Sequence, residues 1–242
     1  MPPSPPTLIP LAGDAKRTYV RQMFTAIAPH YDRLNHLLSF NVDRRWRRRA
    51  VDALAWWKRP KGVYLDVCSG TLDLALELVA RRGFAGRAVG ADFVVPMLRL
   101  GRGKGVEVEA VGADALELPF SDARFDGCTV GFGVRNLSDV DRGLREIRRV
   151  LKPGARLVIL DFAIPTAWPV RSIYLLYFRR VLPVVGRMVS KHMTAYSYLP
   201  DSVEGFLSPE RLASRLLEAG FAGVAHVPLS LGVAALVWGE VP

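Results

Sequence analysis

The sequence predicts an α/β fold with a doubly wound, mostly parallel sheet, helices on both faces and an antiparallel edge strand. Short apolar segments alternate with helical patterns from residue 62 to residue 162, as in successive βαβ units. The first two predicted strands each carry an acid near the carboxyl end, at Asp66 and Asp92. Two β-rich runs, 224–228 and 232–238, are separated by a short turn, which indicates a closing antiparallel hairpin.

The N-terminal quarter of the chain is predicted to be helical. Residues 1–14 are rich in proline and lack a charged segment followed by an apolar run, so we expect a disordered tail and no signal peptide. Helices are predicted over 15–28 and 43–57, the second with Asp43 as its N-cap. Residues 15–61 then form a helical lid, which ends at the proline and glycine of the run before the first strand.

A single domain spanning residues 15–242 is expected, because 242 residues with 50% hydrophobic composition can bury one large core. Its central part, residues 62–162, has strands predicted at 63–67, 87–91, 106–112, 126–130 and 156–162. The helices between them are predicted at 72–81, 96–101 and 137–151. A helical insertion follows at 163–205, and residues 206–242 supply a closing helix, 208–219, and the final hairpin.

Cysteine content and charge limit the class of protein. The two cysteines, Cys68 and Cys128, give no disulfide framework and no zinc spacing, which fits a reducing compartment. The net charge is +10, and its densest cluster is residues 44–49. A basic surface can bind nucleic acid or anionic lipid, or it can reflect an arginine-rich composition alone. The arginines are spread along the chain and interrupted by acids, so charge by itself selects no partner.

The segment 69–73 after the first strand carries the strongest ligand signal. A tight turn there points backbone N–H groups at the carboxyl edge of the sheet, and Asp92 suits a bidentate contact with ribose hydroxyls. Gly70 is the only glycine of this turn, so the G-x-G-x-x-G pattern of dinucleotide sites is absent, as is a P-loop lysine. Asp66 would repel a pyrophosphate but attract an ammonium group. An adenosine ligand that has an α-amino group is S-adenosylmethionine.

Three further segments support this interpretation. After the third strand, Asp114 is placed to accept from an adenine amino group, and the Ala115 N–H to donate to a ring nitrogen. Residues 121–126 lead into the fourth strand, and residues 149–157 form a helix-to-strand turn, as in class I methyltransferases. Each segment alone is also explained as a cap or a turn. Their occurrence together, in this order, favours a methyltransferase.

The chain resembles the ubiquinone/menaquinone biosynthesis C-methyltransferase family from about residue 20 to residue 238. The stretches that carry the resemblance are 20–24, 27–32, 34–40, 44–47, 131–136 and 196–203. The most specific are a Tyr-Asp-x-x-Asn block at 31–35 and a Phe-Gly-x-Arg-Asn element at 132–136. The resemblance implies a class I methyltransferase fold and methyl transfer from S-adenosylmethionine to a ring carbon of a prenylated quinol. The family serves both demethylmenaquinol and a ubiquinone precursor, and we prefer demethylmenaquinol.

The resemblance also implies which residues bind the cofactor. Its cofactor contacts fall on Thr71, Asp92, Asp114 and Ala115 here. We add Asp66, Gly70, Phe93 and Gly131 to that set and expect no metal; because Gly131 stands where the family often has serine, only its backbone can contribute.

Leu72 departs from the family pattern, which usually has glycine at this position of the turn. If the position needs a positive φ, leucine is strained by about a kilocalorie per mole or more. If its N–H merely begins the helix, leucine is harmless.

Carbon methylation suggests the catalytic candidates. A phenol titrates near pH 10, so forming the electron-rich phenolate needs a positive field or a base. Arg135 can stabilise that phenolate, directly or through a water molecule, and Asn136 can orient it; alternatively, Arg135 caps a helix or pairs with an acid such as Asp161. Asp161 is itself a candidate base, and Tyr31 is expected to pack over the cofactor. His30 is of a residue type that commonly acts as a base near neutral pH, but a lone loop histidine is more often a surface residue.

The helical segment 163–205 is expected to face the substrate or a membrane. Within it, residues 172–189 mix apolar side chains with arginines and a proline, which is too interrupted to span a bilayer. The pattern is typical either of a core helix pair or of an interfacial helix lining a groove for a polyprenyl tail. We therefore expect a cytoplasmic protein that associates peripherally with the inner face of the membrane and can form a homodimer.

Three rival functions remain at this stage. Another small-molecule methyltransferase is compatible with the same fold. A nucleic-acid methyltransferase would suit the charge, but the Pro-Cys and Asn-Pro-Pro-Tyr motifs are absent, so no nucleic-acid partner is expected. The chain would instead be a non-catalytic scaffold of a quinone-biosynthesis complex if Leu72 prevented cofactor binding.

Overall fold

The computed structural model describes residues 13–32, 35, 39–104, 108–181 and 193–242. Its α-helices are α1 (Gly13–Ile27), α2 (Val42–Ala53), α3 (Asp73–Val79), α4 (Val95–Arg102), α5 (Val140–Val150), α6 (Trp168–Leu176), α7 (Met193–Glu204) and α8 (Pro209–Glu218). Its strands are β1 (Val63–Val67), β2 (Arg87–Asp92), β3 (Glu109–Gly112), β4 (Phe125–Gly131), β5 (Leu151–Phe162), β6 (Ala222–Leu229) and β7 (Ala234–Glu240). Short 3-10 turns cover Ala28–His30, Trp56–Lys58, Val134–Asn136 and Ser230–Gly232, and a π-helical turn covers Tyr177–Val181.

The described strands form one sheet in the order β3-β2-β1-β4-β5-β7-β6. Strands β1 to β5 run parallel, whereas β7 pairs antiparallel with both β5 and β6. This confirms the predicted doubly wound sheet with an antiparallel edge, which the hairpin of β6 and β7 forms; β7 is the strand that runs opposite to β1–β5. The strand order reverses between β1 and β4, and ligands of such sheets bind at the carboxyl ends of the strands beside this reversal.

The core lies on both faces of the sheet, because side chains of each central strand alternate between them. In β5, Leu157 and Ile159 pack in the cluster that includes Leu144 and Ile147 of α5. Val158 and Leu160 pack on the opposite face with side chains of α2 and α3. All four β5 side chains are buried, so the lid helix α2 is part of the fold's core and gives the site a fixed wall.

Three sequence expectations need correction at element ends. Helix α2 begins at Val42, so Asp43 lies inside the first turn, where it accepts from the Ser39 hydroxyl, and does not act as the N-cap. The helix predicted to reach residue 57 ends at Ala53, because Ala55 adopts a positive φ of 55° before the next 3-10 turn. Strand β5 begins at Leu151 rather than at residue 156, and so includes most of the 149–157 segment that was predicted as a helix-to-strand turn.

Other expectations fall partly outside the described residues. The residues that are not described include 1–12 of the predicted tail, 105–107 around the start of the third predicted strand, and 182–189 of the 172–189 segment. Helix α1 already begins at Gly13. Within the part of the chain that the structure describes, no helix is long and apolar enough to cross a bilayer.

Candidate active site

A cleft lies at the carboxyl edge of the sheet, beneath the lid helix α1. It is lined by six of the eight predicted cofactor residues, Gly70, Asp92, Phe93, Asp114, Ala115 and Gly131. They come from the ends of β1, β2, β3 and β4. The topology therefore brings together residues that are up to about sixty positions apart in the sequence.

Asp92 organises this cleft through both carboxylate oxygens. Its Oδ2 accepts from the Gly70 N–H at 2.8 Å, and its Oδ1 accepts from the Val94 N–H at 2.7 Å. Burial raises the Asp92 pKa to about 6, although the two backbone hydrogen bonds act in the opposite direction. A carboxylate oxygen can accept more than one hydrogen bond, so Asp92 holds the turn and still has acceptor capacity for ribose hydroxyls.

Asp114 lies at the other end of the cleft. Its Oδ1 accepts from the Leu116 N–H at 2.9 Å, and its Oδ2 forms an ion pair of 2.7 Å with Arg17 of α1. This arrangement keeps the Asp114 carboxylate at the wall beside the Ala115 backbone. Arg17 was not predicted, because nothing in the sequence relates this lid arginine to a loop almost one hundred residues away.

Two predicted cofactor residues do not line the cleft. Asp66, within β1, is buried, accepts from the Thr129 hydroxyl at 2.8 Å, and has a pKa that burial raises to about 7. Thr71 is also buried and donates its hydroxyl to Asp32 Oδ1 at 2.6 Å. Their direct contact with the cofactor stays a prediction.

Ion pairs and a hydrogen bond connect the lid to the turn that carries Thr71 and Asp73. Besides accepting from Thr71, Asp32 pairs through Oδ2 with Lys104 Nζ at 2.8 Å. Lys104 also reaches Asp73 at 2.5 Å, and Asp73 pairs with Arg47 of α2 at 3.1 Å. The segment that carries Tyr31 is thus tied to both sides of the turn, which fixes the position of Tyr31 over the cleft.

Leu72 occupies a position that requires a positive φ. Its φ is 66° and its ψ is 18°, in the left-handed region, so the strained alternative raised by the sequence is the correct one. The leucine side chain is fully buried. Glycines make room for it, since a Cβ on Gly90 would lie 2.2 Å from Leu72 Cδ2 and one on Gly101 would lie 2.7 Å from Leu72 Cγ.

Replacing Leu72 by glycine is expected to destabilise the protein despite relieving the backbone. Losing a buried leucine side chain costs about 3–5 kcal/mol, whereas left-handed strain amounts to about 1–2 kcal/mol. The free energy of unfolding in urea should therefore fall by about 1–4 kcal/mol. Leu72→Ala loses nearly the same packing but keeps the strain, so it should be less stable than Leu72→Gly. A Leu72→Gly protein as stable as the parent would contradict this account.

A second cavity of about 580 Å³ opens beside the cleft. Phe24, Tyr31 and Phe132 line both spaces. The larger cavity is bounded mainly by apolar and aromatic side chains of the lid, of β5 and of α6 with the turn that follows it. A molecule in the apolar cavity would therefore meet a molecule in the cleft near Tyr31, whose own pKa burial raises.

Arg135 contributes a buried positive charge to the wall of the apolar cavity. Its Nη1 donates to Asp161 Oδ1 at 2.5 Å and to the Phe132 carbonyl at 2.7 Å, and its guanidinium lies 5.4 Å from the Phe162 ring centroid. The predicted alternative of an Arg135–Asp161 pair is therefore present in the structure. Asp161 lines neither the cleft nor the apolar cavity, and burial raises its pKa.

Asn136 faces the cleft, next to Arg135. Its Nδ2 donates to the Phe132 carbonyl at 3.3 Å, and its Oδ1 accepts from the Tyr198 hydroxyl at 3.1 Å. Lys16 Nζ donates to the carbonyls of Arg135 at 2.9 Å and Leu137 at 2.8 Å, which holds the turn that carries both candidates. Sequence reasoning missed Lys16 altogether; Tyr198 lies in a family-like stretch that could have suggested it. His30 is exposed, as expected of a surface histidine.

A comparison with known protein families decides between the remaining identities. The model of the ubiE/COQ5 methyltransferase family matches residues 12–240. This chain belongs to that family. Demethylmenaquinone methyltransferase of Thermus thermophilus is 50% identical over 91% of the chain and 100% of the relative. The ubiquinone/menaquinone biosynthesis C-methyltransferase UbiE of Geobacter sulfurreducens is 44% identical over 91% of the chain and 88% of the relative.

This member of the ubiE/COQ5 family also resembles solved structures. A SAM-dependent methyltransferase from Thermotoga maritima has a TM-score of 0.66 at 20% identity, covering 91% of this chain and 99% of that one. The [4+2]-cyclase SpnF has the same TM-score at 19% identity, covering 97% and 98%. These identities show the fold alone, so the substrate has to be argued from the site.

Cofactor binding by this ubiE/COQ5 family member is expected to weaken in acid. Ribose hydroxyls donate best to an ionised Asp92, whose pKa is about 6 in the ligand-free protein. Below that pH a proton has to leave before binding, so the dissociation constant should rise about tenfold for each further pH unit. Calorimetric titration from about pH 8 to about pH 5 measures this. Asp66→Asn is the control, because it removes a neighbouring group with a pKa of about 7; a flat profile in that variant would contradict the assignment.

Proposed function

We propose that this chain transfers a methyl group from S-adenosylmethionine to a ring carbon of demethylmenaquinol, giving menaquinol. The observation that carries the proposal is the meeting of two spaces at Tyr31 and Phe132: a polar cleft anchored by Asp92, and an apolar cavity with Arg135 in its wall. The first suits an adenosine ligand, and the second suits a quinol ring with an apolar tail. The names of the relatives support this substrate class.

The residues present fit the cofactor. Asp92 and Asp114 supply carboxylate acceptors for hydroxyl and amino donors, and the Gly70 turn supplies close backbone approach. When bound, S-adenosylmethionine supplies an electrophilic methyl group on a positively charged sulfur. Tyr31 of the lid segment lines this end of the cleft, and the neighbouring Asp32 is held to the turn by the Thr71 hydroxyl.

Arg135 performs the central step in this proposal. Its buried guanidinium stabilises the quinol as a phenolate, so the phenol can ionise well below its ordinary pKa near 10. The phenolate places negative charge on the adjacent ring carbon, which forms the new C–C bond as the C–S bond breaks. The electron pair of the broken bond stays on sulfur, and the methylated carbon then loses its proton to water as the ring regains aromaticity. Asn136 and Tyr198 position the ring edge, and Asp161 holds the guanidinium in place.

The proposal is tested by incubating the purified protein with S-adenosylmethionine and a short-tailed demethylmenaquinol under reducing conditions. Mass spectrometry should detect a product one methylene unit heavier, with the methyl group on carbon. A ubiquinone precursor is the comparison substrate, because the relatives include enzymes named for both pathways. Methylation of neither quinol by folded, cofactor-binding protein would refute the proposal. We also propose that the enzyme acts from the cytoplasm at the inner face of the membrane, where a prenylated substrate resides.

A further inference from the structure

The mouth of the apolar cavity is surrounded by exposed apolar side chains. Phe40, Ile173 and Leu231 all line the cavity, yet they are 75%, 70% and 77% exposed. They come from three separate elements: the turn before α2, helix α6 and the 3-10 turn before β7. Water-facing side chains of this size at the entrance of an apolar space cost free energy unless something covers them.

Helix α6 extends this surface beyond the cavity. Trp168 is 80% exposed, and Leu176 is also exposed. We call Phe40, Trp168, Ile173, Leu176 and Leu231 the rim. These side chains make up half of the ten large exposed apolar residues in the described parts of the chain. Three of the five line the cavity and the other two lie on the same helix as Ile173; such a concentration is typical of an interaction surface rather than of scattered surface hydrophobics.

Exposed arginines lie close to rim residues in the sequence. Arg44 and Arg45 follow Phe40 in the first turn of α2, and Arg180 follows α6; all three are exposed. Within the described residues, none of these three arginines forms an ion pair or a hydrogen bond with another group. Free arginines beside exposed apolar side chains match the anionic headgroups and acyl chains of a lipid surface.

We propose that the rim is the surface by which this protein docks on an anionic bilayer, with the cavity mouth facing the lipid. This rests on the proposed function only for the nature of the cargo: a prenylated quinol would pass from the bilayer into the cavity without crossing water. A second copy of the chain is a poorer occupant, because two rims face to face would bring like-charged arginines together. Trp168 then lies at the headgroup level, where indole side chains are favoured.

The test is co-sedimentation of the full chain with vesicles. Wild type should bind vesicles of phosphatidylglycerol and phosphatidylethanolamine, and bind pure phosphatidylcholine much less. A Trp168→Ser/Leu176→Ser variant, which changes two exposed rim residues outside the cavity lining, should lose about tenfold or more in partitioning. The matched control is Trp57→Ser/Leu217→Ser, which removes the same residue types from exposed positions outside the rim and should bind as wild type.

The same assay tests the contribution of the arginines. Arg44→Glu/Arg45→Glu should weaken vesicle binding, whereas Arg124→Glu, at an exposed position next to the start of β4, should not.

Measuring both quinol methylation and vesicle binding distinguishes failure of the docking surface from failure of the proposed function. Methylation of a short-tailed, water-soluble quinol should be unchanged in the Trp168→Ser/Leu176→Ser variant, since neither residue lines the cleft or the apolar cavity. If wild type methylates no quinol but vesicle binding depends on the rim, the substrate is wrong and the docking surface stands. Equal vesicle binding by rim and control variants would overturn the docking surface. Conversion of a dimer to a monomer by the rim variant, with no change in vesicle binding, would overturn it in favour of self-association.

Discussion

Asp92→Ala is expected to raise the dissociation constant for S-adenosylmethionine about 100-fold or more. The substitution removes a charged acceptor, and two hydrogen bonds to such an acceptor contribute about 1.5 kcal/mol or more each. It also removes the partner of the Gly70 N–H at 2.8 Å and of the Val94 N–H at 2.7 Å. Affinity for the ligand is thus lost for two reasons: the carboxylate acceptor is missing, and the turn that it held is no longer fixed. Isothermal calorimetry at neutral pH measures the effect.

The control for Asp92→Ala has to separate ligand contact from folding. Asp92→Asn keeps one carbonyl acceptor of the same size, so it should retain more of the turn and an intermediate affinity. Thermal unfolding of each variant in the absence of ligand shows whether the fold is intact. If Asp92→Ala is folded and binds S-adenosylmethionine as tightly as wild type, the cleft at the carboxyl edge is not the cofactor site.

The order of strands and helices could be predicted because its signals are local. Apolar runs, glycine and proline turns and helical periodicity lie within a few residues of the elements they specify. The errors occurred where tertiary contacts override such signals. The α2 helix stops before Trp56, whose ring packs on Phe84 and whose carbonyl accepts from the Tyr64 hydroxyl. No sequence pattern within residues 43–57 reports those partners.

The residues that line the cleft were partly predictable for a different reason. Any residue that follows a parallel strand reaches the carboxyl edge, so Gly70, Asp92 and Asp114 could be placed by topology alone. The apolar cavity was beyond prediction in detail, because its wall combines side chains from Met23 to Val233. The conformation of Leu72 was equally hidden, since only the fold shows that Gly90 and Gly101 leave space for its side chain.

Arg135→Ala is expected to lower the turnover number for quinol methylation by about 100- to 1000-fold, the range seen when a group that stabilises developing negative charge is removed. The affinity for S-adenosylmethionine should change little, because Arg135 lines the apolar cavity and not the cofactor cleft. Arg135→Ala also leaves the buried Asp161 carboxylate without its ion-pair partner. Removing one partner of a buried ion pair costs about 3–5 kcal/mol of stability. Turnover therefore has to be compared at a temperature where the variant is folded, with bound S-adenosylmethionine as the check.

A second substitution separates the charge in the cavity from the pairing that supports it. Asp161→Asn keeps an oxygen for the Phe162 N–H, which donates to Asp161 at 2.8 Å, but removes the negative charge. Arg135→Ala/Asp161→Asn should recover stability without recovering turnover. Asp161→Asn alone should stay within about tenfold of wild type, because Asp161 lies behind Arg135 and positions it. Recovery of turnover in the double variant would mean that Arg135 serves only to neutralise Asp161. Loss of turnover in Asp161→Asn as severe as in Arg135→Ala, with cofactor affinity retained, would instead make Asp161 the proton acceptor.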